Sequence, residues 1–224
     1  MASAEVDACA AMLRSLPAVV DAWSDGNAIL ETEVVVADVP LRSLARVGSG
    51  WWADPAAALD LLAPHLASPR DSVLLVYPSD GSPSLRQAWG YTWGEVELLG
   101  GAGFSAIVSD PWPGWARIED PAHGFVHEWL HQVEAVYRRL GLAEDDLPSL
   151  HDVADRRTTR PDVPDRATTY VEHERRTGSW RPWYRDYMTG TVGAKTGEAP
   201  RVRGLTEERW RRRPNPGDAH GTGP

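Results

Sequence analysis

The stretch Asp120–Gly141 reads DPAHGFVHEWLHQVEAVYRRLG, and its spacing decides the fold. Phe125, Val126, Trp129, Leu130, Val133, Tyr137 and Leu140 recur with the period of an α-helix and form one broad apolar face. Asp120 suits the N-cap and Pro121 the first helical position. Arg138 and Arg139 fall in the last turn, where cations complement the helix dipole, and Gly141 suits the C′ position. The spacing therefore predicts a long helix buried in a domain. Within it stand three polar residues, His127, Glu128 and His131.

Working outward, 2–16 has helical spacing up to Pro17, and 28–39 reads as a strand centred on Val34, Val35 and Val36. Asp54-Pro55 starts a helix that ends near Pro64 or Leu66. SVLLVY at 72–77 is a buried strand, 89–99 a strand or hairpin, and FSAIVS at 104–109 a further strand. Beyond the long helix the chain is irregular to Thr169, with a helical turn at 170–176 and an aromatic cluster, WRPWYRDYM, at 180–188. The expected fold is α+β: a small mixed or antiparallel sheet on a buried helix, followed by an irregular helical C-terminal part. One domain would span 1–195, with the sheet and helix in 28–141, and the basic, Pro/Gly-rich 196–224 would form a flexible tail.

With 224 residues, 42% hydrophobic and 25% charged, the chain can bury a substantial core. That composition excludes collagen, a coiled-coil rod and wholesale disorder. A single cysteine, Cys9, excludes an internal disulfide and a cysteine-based zinc site. No apolar run reaches the roughly 18 residues of a membrane helix, and Glu5, Asp7 and Arg14 interrupt any secretory signal at the N-terminus, so a cytoplasmic location is expected. The formal charge of −9 is uneven, with eleven basic residues against four acids in 175–213. No nucleic-acid-binding module surrounds that basic segment, which argues against such a partner. Nothing in the sequence sets the oligomeric state.

His127-Glu128-Trp129-Leu130-His131 is an HExxH motif. Residues four apart on a helix share a face, so both imidazoles can reach one ion, while Glu128 lies one step round and can act on a water beside it. Zinc with three protein ligands keeps a fourth position for water and lowers its pKa to about 7. On these residues the chain resembles the zincin clan of metallopeptidases. The metzincin continuation, with a glycine and a third histidine, is missing: Gln132-Val133-Glu134-Ala135-Val136-Tyr137 follows instead. The longer helix is similar to the gluzincin layout, which implies a third ligand some 20 residues after His131, where this chain has His151. Asp152, Asp155 and His173 are the alternatives. Glu134 can orient a ligand imidazole or pair with Arg138, and His123 belongs to the cap region.

The resemblance further implies that an edge strand pairs with the substrate backbone. Phe104, Ser105 and Ala106 stand where that strand would lie, with Gly101 and Gly103 permitting close approach. Tyr187 in the aromatic cluster is the candidate donor to a developing oxyanion, and Met188 the candidate floor beneath the metal. The expected activity is zinc-dependent hydrolysis of peptide bonds in a peptide or protein, with His127, His131 and His151 holding Zn²⁺ and Glu128 as general base. Two other readings are a hydrolase dedicated to a non-peptide amide or a leader peptide, and a catalytically idle zincin-like binding domain.

Overall fold

The computed structural model describes residues 3–37, 41, 44–47, 50–66, 69–78, 90–109, 122–158, 160, 169–199 and 201–212. The expected helix start at Asp120-Pro121, the loop Pro111 to Ala116 and the end of the chain from Pro214 lie outside them. Helix α1 spans Ser3–Trp23, α2 Pro55–Leu62, α3 His123–Arg139, α4 Tyr170–Thr177, α5 Arg181–Thr189 and α6 Glu207–Trp210. The strands are β1 Ala45–Val47, β2 Gly50–Trp52, β3 Ser72–Tyr77, β4 Gly90–Val96 and β5 Ala102–Val108. The architecture is α+β.

β1 and β2 form a hairpin, and the other three strands form a sheet in the order β3-β5-β4. β5 runs parallel to β3, with Val73 opposite Phe104, and antiparallel to β4, with Thr92 opposite Ser105. A bulge between Thr92 and Gly94, where Gly94 takes a φ of +70°, shifts the β4 register. The side chains of β5 alternate as a pleated strand requires. Phe104, Ala106 and Val108 pack with Trp52, Ala53, Ala58 and Tyr77 beneath α2 and the hairpin, while Ile107 joins the larger core around α1, α3 and α5. Every residue of β5 is buried.

This layout corrects one expectation directly. Phe104, Ser105 and Ala106 belong to the central strand, paired on both sides, so they offer no free edge to a substrate. The edge nearest α3 is β4. Other boundaries differ for identifiable reasons. Pro17 lies inside α1, whose continuation buries Val20 and Trp23 in the core and so offsets the hydrogen bond that proline removes. The β-branched run at 34–36 meets no partner strand among the described residues: 28–37 is irregular, with Ile29, Val35 and Val36 exposed. α2 begins as expected, its Asp54 cap accepting from the Ala57 amide at 2.6 Å. α3 starts after Ala122, which makes no side-chain cap, and Gly141 adopts a φ of +84° beyond its end.

The C-terminal segment as far as Arg212 is no loose tail. Leu205 is fully buried, and Trp210 stacks on Trp129 with ring centroids 6.2 Å apart and planes 7° from parallel. The Trp210 indole also donates to the Met188 carbonyl at 2.8 Å. Its arginines pair with acids of the body, Arg201 with Asp145 and Arg209 with Asp146. Trp210→Ala should therefore destabilise the fold by about 2 kcal/mol, roughly half a fully buried tryptophan, measured by chemical denaturation. An unchanged midpoint would show that this segment does not belong to the core.

Candidate metal centre

Three stripes of α3 do three jobs. Phe125, Val126, Trp129, Leu130 and Tyr137 are buried in the core shared with α1 and α5. Glu128 and Gln132, one turn apart, point at the sheet. His127, His131, Glu134 and Arg138 follow each other at four, three and four residues, and so line a third side.

On that third side the histidines converge. His127 Nε2 and His131 Nε2 are 3.1 Å apart, and the ring of His151 lies 4.7 Å from that of His131 and 5.5 Å from that of His127, centroid to centroid. One ligand atom from each of the three falls within 4.8 Å of the others. These three histidines are close enough to hold a metal ion. His151 is exposed and the His131 side chain keeps 20% of its surface accessible, so the cluster opens to solvent on one side.

The Nδ1 atoms of His127 and His131 each face a polar partner. His127 Nδ1 is hydrogen-bonded to the Tyr184 hydroxyl at 3.0 Å, and His131 Nδ1 lies 3.7 Å from Glu134 Oε2. With both rings protonated at Nδ1 toward those partners, the two Nε2 lone pairs face each other, an arrangement that a cation between them relieves. Imidazole donors without thiolates suit zinc, copper, iron or nickel. Burial, reinforced by the neighbouring His131, His151 and His123, holds His127 far below its ordinary pKa. Burial and His131 also lower His151, against the pull of Glu134. Both rings are thus neutral, the form that binds metal.

Glu128 is 3% exposed, and burial raises its pKa against the opposing effects of His131 and a Thr92 hydrogen bond. Thr92 Oγ1 on β4 donates to Glu128 Oε2 at 2.9 Å. Gln132 Nε2 donates to Ser105 Oγ at 2.7 Å and to the Val73 carbonyl at 3.2 Å, while Ser72 Oγ donates to Gln132 Oε1 at 2.6 Å. Glycine is required where α3 touches the sheet: a Cβ on Gly90 would lie 2.6 Å from Glu128 Cδ, and one on Gly103 would lie 2.4 Å from Gln132 Oε1. The sheet is carved to admit this polar layer.

Of the sequence candidates, His127, His131 and His151 come together and Glu128 lies beside them. Asp152 instead pairs with Arg156 at 2.9 Å and with Lys195, Asp155 is exposed at a turn, and His173 is buried on α4 outside the cluster. His123 is fully buried in the first turn of α3. Glu134 takes both expected roles, facing His131 and pairing with Arg138 at 3.4 Å. The site tyrosine is Tyr184, not Tyr187. The Tyr187 hydroxyl is enclosed and has no hydrogen-bond partner among the described residues, and its ring packs on Trp183 at 5.7 Å. Met188 is core. Sequence reasoning misses Thr92 and Gly90, and among the candidate donors of the aromatic cluster, Trp180, Trp183, Tyr184, Tyr187 and Met188, it selects Tyr187 where Tyr184 is the one that touches His127.

Comparisons with protein-family models, curated proteins and solved structures return no match. Among the described residues no helix is long and apolar enough to cross a membrane.

The neutral imidazoles fix a pH dependence. Below about 6.5 an unfolded chain protonates its histidines, whereas folded His127 and His151 resist, so the unfolded state binds more protons. Stability of the metal-free protein should fall as pH drops from about 7.5 through 6.5 to 5.5, measured as Tm. His127→Gln removes one such imidazole and should flatten the slope. A steeper slope in the variant would contradict the assignment.

Proposed function

We propose that the chain is a zinc-dependent hydrolase of peptide bonds, zincin-like in its site. The observation that carries this reading is the placement of Glu128. A buried carboxylate, raised in pKa by its burial, follows the first of three converging histidines in the helix, the arrangement a general base acting on a metal-bound water requires. His127, His131 and His151 would hold the ion. Zinc bound there supplies a Lewis acid and lowers the pKa of a water to about 7.

The chain's own groups do the rest. Thr92 fixes Glu128 Oε2, which leaves Oε1 as the oxygen to take a proton from the attacking water and return it to the leaving amine. Tyr184 and Glu134 orient the two ligand rings. The substrate backbone is assigned to β4, whose outer edge has no partner strand among the described residues and whose Gly90 and Thr92 touch Glu128. An extended peptide added there would pair through main-chain hydrogen bonds, with little demand on its sequence.

Glu128→Gln separates catalysis from metal binding. The variant should retain zinc in full while losing roughly 10²–10⁴-fold in kcat/KM on a peptide substrate. Undiminished cleavage would remove Glu128 from the mechanism. Zinc binding by the wild type without cleavage of any peptide offered would favour the binding-domain reading.

A further inference from the structure

We infer that Glu134 is a positioning residue that sets two of the three histidines at once, so that α3 itself fixes the third ligand as well as the first two; this rests on the metal reading above. His151 sits on an exposed turn, which by itself is a poor place for a ligand. The residue before it, however, is held on both sides. The Leu150 amide donates to Glu134 Oε2 at 3.0 Å, and the Leu150 carbonyl accepts from the Trp183 indole at 2.9 Å. Leu147 and Leu150 are buried at 0% and 2% exposure, anchoring the turn in the core.

The same Oε2 faces His131 Nδ1 at 3.7 Å. One oxygen therefore stands between the ring of the second ligand and the backbone of the third. Its position is fixed in turn by Arg138, whose guanidinium pairs with Glu134 Oε1 at 3.4 Å and donates to the carbonyls of Leu142 and Leu147. Arg138 thus ties the loop after α3 to the same carboxylate. On the far side of His151, Asp152 is locked by Arg156 and Lys195, and the buried Arg156 also donates to the Gly193 carbonyl at 2.9 Å. The turn is held in place by the protein alone, before any ion binds.

The order of residues along α3 makes the coupling specific. Ligand, ligand, clamp and clamp support occur at 127, 131, 134 and 138, all on one side of the helix. A shift of the His151 turn must break the Leu150–Glu134 bond. Loss of Glu134 must free both the His131 ring and the turn.

The test uses the full chain, zinc as the only probe, and Glu134→Ala, which removes the accepting oxygen, with and without His151→Ala. In metal-free protein, amide exchange at Leu150 should accelerate at least tenfold in Glu134→Ala. Zinc affinity should fall by about 10–100-fold. In the His151→Ala background the same substitution should cost clearly less, because part of its effect travels through the missing ligand. Unchanged exchange at Leu150, or an equal loss of affinity in both backgrounds, overturns the inference. If Glu134→Ala fails to fold, Arg138→Met takes its place: faster Leu150 exchange and weaker zinc binding support the clamp, and no change in either overturns it. A wild-type chain that binds no zinc overturns the metal reading, and the exchange arm then decides by itself whether Glu134 clamps the turn.

Discussion

Two imidazole nitrogens 3.1 Å apart, on successive turns of one helix, impose the constraint to which the rest of the structure answers. With both rings protonated at Nδ1 the facing lone pairs repel, and an added proton between them would carry a charge that the burial lowering the pKa of His127 opposes. Holding the rings in that pose requires partners at both Nδ1 atoms and a helix that cannot turn away. Tyr184 and Glu134 are the partners. The helix is pinned by Phe125, Val126 and Leu130, each fully buried.

The stripe of the helix next to the histidines meets the sheet through polar groups. Burying Glu128 and Gln132 beneath three strands is costly without hydrogen bonds. The sheet provides them through Thr92, Ser105, Ser72 and the Val73 carbonyl, and it omits side chains at Gly90 and Gly103 to make room. An apolar seam would have been simpler to pack. Retaining a carboxylate with a raised pKa at this depth is the kind of local conflict that marks a functional site.

Much of this is legible in the sequence. The long helix, the Asp54-Pro55 helix start and the strand SVLLVY carry signals contained within a few neighbouring residues, and each emerges nearly where expected. The two-histidine core of the site is legible for the same reason, since i and i+4 on a helix need no knowledge of tertiary structure. What escapes sequence reasoning is non-local. Strand order cannot be read from FSAIVS, so nothing in that run distinguishes a central strand from an edge. The valines at 34–36 have high β-propensity but find no partner strand among the described residues. Arg201 and Arg209 read as part of a solvated tail, because their acidic partners Asp145 and Asp146 lie more than fifty residues away. Thr92 reaches Glu128 only through the fold, and the choice between Tyr184 and Tyr187 turns on one helical turn.

The central claim is that His127, His131 and His151 share one ion. X-ray absorption on protein equilibrated with one equivalent of zinc tests it most directly. The predicted result is a single tightly bound zinc with three imidazole nitrogens at about 2.0–2.1 Å and one further light-atom position, reduced to two imidazoles in His151→Ala. A chain that leaves the zinc in solution, or an imidazole count unchanged by that substitution, would contradict the account.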